Sequence, residues 1–332
     1  MSIEGEETNT EPEVDLESVL CFLWLTLVLG SLLVSSLPSS MLGFVTEHGK
    51  MQNAVQDRKR SESLSLAMMK NSDSAFIQDL LQSWDNFAQF RVRKDWFMHF
   101  YIVGAVNGMI WMVASYSFFD VEHDGMIKKY TFPAACLFSA FLWELHVLRR
   151  LYECLYITHF GDSMIHISGY AVGIIHYLLV PATLLLPCFS PSQYNRHLYS
   201  SLFSSRILLS CGVFALANYY QYKCHLILFR CKQRATKENI TSVGGREKLY
   251  MLPTGSLFEY VSCPHYFTEI CIYLTMMGVQ PSSLSVITMN VWVICNLSVV
   301  SYKQYLWYLD NFFADFDNGK MDDWRILIPF VW

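Results

Sequence analysis

Three groups of polar residues stand where the chain is otherwise apolar, and each has helical spacing. In FLWELHVLRRLYECLY (141–156), His146, Arg149, Arg150 and Glu153 recur at i, i+3, i+4 and i+7, which is one helix face. Arginine forks match phosphate oxygens bidentately, so this face could hold a polyanion; snorkelling to lipid headgroups explains the arginines about as well. In LANYYQYKCHLILFR, Gln221 and His225 share a face, with Asn218 one turn earlier and Lys223 between them. An interhelical hydrogen-bond network accounts for that pattern as readily as a ligand does. The third group is YMLPTGSLFEYVSCPHYFTEICIY (250–273), where a loop bearing Tyr250 and Glu259 leads into an apolar segment bearing His265, Tyr266, Glu269 and Tyr273. Tyr266, Glu269 and Tyr273 again share a face, Ser262 reads as the N-cap, and Pro264 suits the first helical turn. Free backbone N–H groups at that helix start would make a second anion site. Ionisable groups are costly in lipid unless paired or turned to a cavity, so each group is a site hypothesis by default.

The elements that must position these residues are membrane helices. The chain is 53% hydrophobic, 15% aromatic and only 16% charged, against about 25% charged in an ordinary soluble domain. Seven apolar runs, at about 18–37, 97–119, 131–149, 164–189, 203–222, 265–280 and 284–309, approach the ~20 residues that span a bilayer. Only Gln280-Pro281-Ser282-Ser283 separates the last two, which makes them a helical hairpin. The sequence therefore predicts an all-α integral membrane protein of seven transmembrane helices. Its parts are an acidic disordered tail over 1–17, a first transmembrane helix over 18–38, a cytosolic loop over 39–96, and a six-helix catalytic membrane domain over 97–332. A cleaved signal would want a basic region before the first run, and the region here is acidic, so that helix is expected to be retained. Part of the 39–96 loop, amphipathic over 76–90, could lie along the membrane surface.

Basic residues gather in the loops 39–96, after Arg149-Arg150, and 223–248, all on one side of a seven-span chain. The positive-inside rule makes that side cytosolic, the N-terminus lumenal and the C-terminus cytosolic. The sequon Asn239-Ile240-Thr241 then lies in the cytosol and should stay unmodified. Most of the ten cysteines lie in apolar runs without a C-x-x-C pair, so they read as small hydrophobes, and no metal site is expected. A net charge of −5 and the lack of a long basic block give no reason to expect nucleic acid as a partner.

No Rossmann, P-loop, G-x-S-x-G or H-E-x-x-H motif is present, so a nucleotide would have to bind between membrane helices and loops. The segments LHVLRRLYECLY, YQYKCHLILFR, LPTGSLFEYVSCPHYFTEICIY and the C-terminal RILIPF resemble the steroid 5-alpha-reductase family, most closely its polyprenol reductase branch (type 3). The resemblance runs from about residue 94 to the end of the chain. It implies a multi-pass protein of the endoplasmic reticulum membrane that uses NADPH. The reaction implied is reduction of the α-isoprene double bond of a polyprenoid lipid, on the way to dolichol and N-glycosylation. Carried onto matching positions, it implies cofactor contacts from Arg149, Gln221, His225, Tyr250, His265 and Glu269, and Arg150, Lys223, Glu259 and Tyr266 join them as cofactor-binding candidates. His265 stands where close relatives often have Asn. The acidic segment Asp315–Asp323 stands where the family has a short basic one, so a cofactor contact from that end is not carried over.

Chemistry narrows the substrate. Hydride adds readily only to an electron-poor double bond, so the conjugated aldehyde, polyprenal, suits the reaction better than the allylic alcohol. An acid must hydrogen-bond the developing enolate oxygen. His146 is the first candidate for that role and Tyr152 the second. Reduction of a 3-oxo-4-ene steroid is the nearest alternative. A seven-helix receptor lacks support, because Arg149-Arg150-Leu151 replaces a D-R-Y-like sequence; a transporter would show inverted repeats and broken helices, and none is evident.

Overall fold

A computed structural model describes residues 15–36, 79, 82–83, 86–87, 89–121, 134–158, 160–161, 163–186, 204–237, 251–317 and 324–329. Seven α-helices follow one another: α1 Leu16–Ser36, α2 Phe97–Val121, α3 Ala134–Tyr156, α4 Ile167–Leu185, α5 Ser205–Lys237, α6 Pro264–Val279 and α7 Leu284–Asp317. They match the seven apolar runs, with α3, α5 and α7 continuing beyond them. The chain is thus an all-α membrane protein, to which one small addition was not expected. Strands β1 (Arg91–Arg93) and β2 (Met164–His166) pair antiparallel, Val92 opposite Ile165, and tie the end of the 39–96 segment to the start of α4. The acidic tail before Asp15, the sequon at 239–241, Tyr250 and most of the amphipathic 76–90 stretch lie outside the described residues.

Four helical segments among the described residues are long and apolar enough to cross a membrane: Leu16–Leu33, Lys94–Ser117, Ile167–Leu185 and Leu284–Phe312. They belong to α1, α2, α4 and α7. Their outer faces are apolar, with Phe22 70% and Ile110 61% exposed, which is what a hydrocarbon solvent permits. Helices α3, α5 and α6 fall short of that standard. α6 has 16 residues, while α3 and α5 carry the polar residues singled out above.

The inner faces meet in one core around Trp24, Trp143, Tyr273, Met276 and Met289. Helix α1 lies along α7, α6 along α5, and α2 against α3 and α4. Trp24 donates its indole N–H to Thr183 Oγ1 at 2.9 Å, so the first helix is tied to α4 through a satisfied polar contact. The hairpin between α6 and α7 turns where expected, Ser283 N donating to Gln280 O at 3.3 Å. No disulfide joins the described cysteines.

The C-terminal segment returns to the loop that precedes α6. Arg325 N donates to Tyr260 O at 3.0 Å, and Ser262 N donates to Arg325 O at 2.9 Å. Trp324 caps the pair by donating its indole N–H to Phe258 O at 2.6 Å, and Leu327 is buried in the core. This corrects the reading of Ser262. The N-cap position of α6 is Cys263, which makes no side-chain cap bond, and the Ser262 hydroxyl donates to Ile326 O at 2.7 Å. The longer-range partner wins because the returning segment brings a carbonyl to the hydroxyl.

Close packing of α2 on α4 depends on glycine. A Cβ on Gly173 would lie 2.6 Å from the Phe100 ring, and one on Gly104 would lie 2.6 Å from Tyr177 Cδ1. Small residues let membrane helices approach in this way, and Gly104 and Gly108 have the G-x-x-x-G spacing. Overpacking costs about 1–3 kcal/mol. Gly173→Val should therefore lower the melting temperature of the detergent-purified protein. Gly212→Ala, at a site with nothing within 4 Å, should not. Equal melting temperatures for the two variants would contradict the packing account.

Candidate functional site

Helices α3, α5 and α6 bring the three polar groups of the sequence together. Glu153 of α3 is fully buried and is met by three nitrogens. Arg149 Nη1 donates to its Oε1, while Arg150 Nη1 donates to Oε2. His225 Nδ1 of α5 lies 2.7 Å from Oε2 and 2.8 Å from Arg150 Nη1, and when it carries the ring proton it is the third donor to the carboxylate. Arg150 then reaches α2, donating to Tyr101 Oη at 2.8 Å with its guanidinium 5.1 Å from that ring's centroid. Arg149 turns to α5 instead, donating from Nε to Asn218 Oδ1 at 2.8 Å and from Nη2 to Gln221 Oε1. Gln221 completes the link to α6, its Nε2 donating to Glu269 Oε2 and, at 3.2 Å, to His265 O.

His146 is 1% exposed and sits between these partners. Its Nε2 faces Glu269 Oε1 at 3.1 Å, and an ionised carboxylate can only accept, so Nε2 carries the proton. Its Nδ1 then accepts from Arg149 Nη2 at 3.1 Å. Asn218 Oδ1 is already engaged by Arg149, and its amide nitrogen donates to Phe214 O at 2.9 Å. The ring is held as the neutral Nε2–H tautomer. Two guanidinium groups and two carboxylates balance in the cluster, which is what allows them to be buried together.

Among the sequence candidates, His146, Arg149, Arg150, Gln221, His225 and Glu269 therefore belong to one hydrogen-bonded network. His265 and Tyr266 adjoin it, the His265 ring 5.9 Å from that of His225 and 4.1 Å from that of Tyr266. The buried Nδ1 of His265 has no hydrogen-bond partner among the described residues, so it is available to a ligand. Three candidates do not converge. Tyr152 is 53% exposed on the outer side of α3 and packs on Tyr156. Lys223 is exposed and lies over the Tyr219 ring at 4.6 Å. Glu259 is exposed and caps its own turn, accepting from Gly255 N at 2.5 Å, where Gly255 has φ +93. Tyr250 lies outside the described residues.

Beside this network, sharing Glu269 with it, lies a cavity of about 530 Å³. Its wall includes Leu27 of α1, Phe100 of α2, Val172 of α4 and Val293 of α7, so each of the four span-like helices contributes. Glu269, Tyr273 and His176 form a contiguous polar stretch of that wall. His146 is not a wall residue and stands one hydrogen bond behind Glu269. Glu269 is thus shared between the polar network and a mostly apolar chamber, an arrangement able to present a hydrogen-bonding group to an apolar ligand.

Sequence reasoning missed several participants. Tyr101 lies in an apolar run two residues after His99, and His176 has no second histidine or charged residue within α4; a lone histidine inside such a run is the available signal for His176. Lys94 and Lys232 were read only as markers of orientation. Lys94 lies within electrostatic range of both His265 and Lys232, and Lys232 Nζ is 3.2 Å from where a Gly161 Cβ would be. Two cations thus approach the edge of a cluster whose own charges already balance.

Residues 188–332 match the family described as 3-oxo-5-alpha-steroid 4-dehydrogenase. The chain is 25% identical to polyprenal reductase 2 of Oryza sativa subsp. japonica over 373 aligned positions, covering 95% of this chain and 98% of that protein. It is 27% identical to polyprenal reductase of Caenorhabditis elegans, over 72% of this chain and 79% of that protein. It is 32% identical to polyprenal reductase of Homo sapiens, over 56% of this chain and 62% of that protein. The motifs on α3, α5 and α6 agree with these likenesses: residues 188–332 are similar to the 3-oxo-5-alpha-steroid 4-dehydrogenase family, and nearly the whole chain is similar to polyprenal reductase 2 of Oryza sativa subsp. japonica.

Proposed function

We propose that this protein reduces the α-isoprene carbon–carbon double bond of polyprenal with NADPH, in the endoplasmic reticulum membrane, on the route to dolichol and N-glycosylation. The observation that carries this reading is the placement of Glu269. It faces an apolar chamber large enough for the head of a polyprenoid, and it is held from behind by a buried network of arginine, histidine and glutamine. The relatives named polyprenal reductase support the choice of substrate class. Seven membrane crossings, with the N-terminus lumenal and the C-terminus cytosolic, put the polar network near the cytosolic face, from which a dinucleotide would enter.

The residues fit such a cofactor. His265 offers an unpartnered buried nitrogen, and Lys94 and Lys232 add positive charge that the balanced cluster does not itself supply. Arg149, Arg150, Gln221 and His225 would shape the cradle beside them, with Tyr266 adjoining. Bound there, NADPH supplies hydride to the β-carbon of the enal. The chain's own residues do the rest. The apolar wall excludes water and orients the isoprenoid, and the His146–Glu269 pair handles the proton that the α-carbon takes up. His146 thus acts through Glu269, one bond removed from the chamber.

Three measurements test this. Purified protein should consume NADPH with polyprenal, and consumption with an enone steroid but neither polyprenal nor polyprenol would sink the reading. His146→Gln should lose at least about tenfold in kcat while keeping its affinity for NADPH, since positioned acid–base groups contribute about 10²–10⁴-fold. Full turnover in that variant would remove His146 from the mechanism. Lys94→Ala should weaken NADPH binding with little change in melting temperature. Glu153→Ala should instead destabilise the fold by about 3–5 kcal/mol, because it strands two guanidinium groups that are less than a fifth exposed. The reverse pattern would exchange the roles assigned to these residues.

A further inference from the structure

Tyr273 lies one turn beyond Glu269 on α6, lines the chamber and is only 2% exposed overall. Its hydroxyl is contacted by two nitrogens. His176 Nε2 of α4 is 2.7 Å away, and Trp143 Nε1 of α3 donates to it at 3.4 Å. A third contact decides which way the protons point. Trp292 Nε1 of α7 donates to His176 Nδ1 at 3.3 Å. An indole nitrogen can only donate, so His176 Nδ1 must accept. The imidazole is then neutral and carries its proton on Nε2, which donates to the Tyr273 oxygen. That oxygen already receives two N–H groups, so its own O–H has to point elsewhere, and no acceptor for it exists among the described residues.

From this chain of forced donors we infer that Tyr273 is a catalytic residue that hydrogen-bonds the aldehyde oxygen of the substrate, with His176 as its positioning residue. The inference rests on the proposed reduction of an enal. When hydride from the reduced nicotinamide reaches the β-carbon, the C=C electron pair becomes the new bond between the α-carbon and C1. The carbonyl pair then moves onto oxygen, forming an enolate. The Tyr273 O–H donates to that oxygen as its charge grows, and the two N–H groups behind strengthen the phenol as a donor. A proton relayed from bulk water through the His146–Glu269 pair forms the α-carbon–hydrogen bond, the carbonyl re-forms, and saturated aldehyde and oxidised cofactor leave. Tyr273 keeps its own proton throughout. The residue conveys specificity too, because an allylic alcohol offers no carbonyl to hold.

The test needs no turnover. Polyprenal carrying ¹³C at its carbonyl is bound to cofactor-free, detergent-purified protein, and its C=O stretch is read by infrared difference spectroscopy. The stretch should fall in frequency on binding the unmodified protein and should not fall in Tyr273→Phe, whose melting temperature confirms folding. His176→Leu should lose most of the shift, and His176→Gln, which places an amide N–H near the former Nε2, should restore part of it. In the NADPH assay, Tyr273→Phe should lose about 10²–10³-fold in kcat, the usual effect of removing one such donor, with KM little changed. The same carbonyl frequency in Tyr273→Phe and the unmodified protein, or no shift in either, overturns the inference. A shift that depends on Tyr273 without any NADPH-dependent reduction upholds the contact and overturns the proposed function instead.

Discussion

Burying two guanidinium groups and two carboxylates between helices is tolerable only if every charge is met, and much of the architecture answers to that constraint. Glu153 is fully buried and is met by three nitrogens, and Glu269 by two. Losing any one partner would leave a desolvated charge, which costs far more than an exposed ion pair is worth. The network therefore fixes α3, α5 and α6 relative to one another. It also explains their modest apolar character, since helices that share such a cluster need less lipid-facing surface. The four more apolar helices lie where the chain meets the chamber and the bilayer.

Helix α6 belongs to both worlds. Glu269 and Tyr273 are four residues apart and so lie on one face, yet Glu269 closes the polar network while Tyr273 closes a separate relay through His176 to Trp292. The two relays reach the chamber wall one turn apart. One can handle a proton and the other can hold an oxygen, and neither requires a polar group to stand free in an apolar space. The short length of α6, 16 residues, fits a helix that is packed among its neighbours rather than exposed to lipid along its length.

Helical periodicity made the face of α3 and the two polar runs on α5 and α6 readable, because side chains at i, i+3, i+4 and i+7 must point the same way. Periodicity names a face but not its partner. Nothing in 141–156 says that Arg150 turns to Tyr101 on α2 while Arg149 turns to Gln221 on α5. His176 was passed over because GYAVGIIHYLLV has no second histidine or charged residue to complete a pattern; its partners come from α6 and α7. Ser262 was misread for a related reason. The local rule for N-caps is sound, but its hydroxyl was taken by a carbonyl 64 residues further along. Tyr152 was drawn in by its neighbours in sequence, although its position on the helix turns it outward.

The clasp between the C-terminal segment and the loop before α6 has a bearing on how such chains diverge. Its two rungs join main-chain atoms of Tyr260, Ser262 and Arg325, and the Trp324 and Ser262 side chains likewise bond to carbonyls rather than to particular side chains. Peptide groups are the same whatever residue bears them. Most side chains here can therefore change while the brace on the site loop endures. What the brace needs is the spacing that brings the two stretches of backbone side by side.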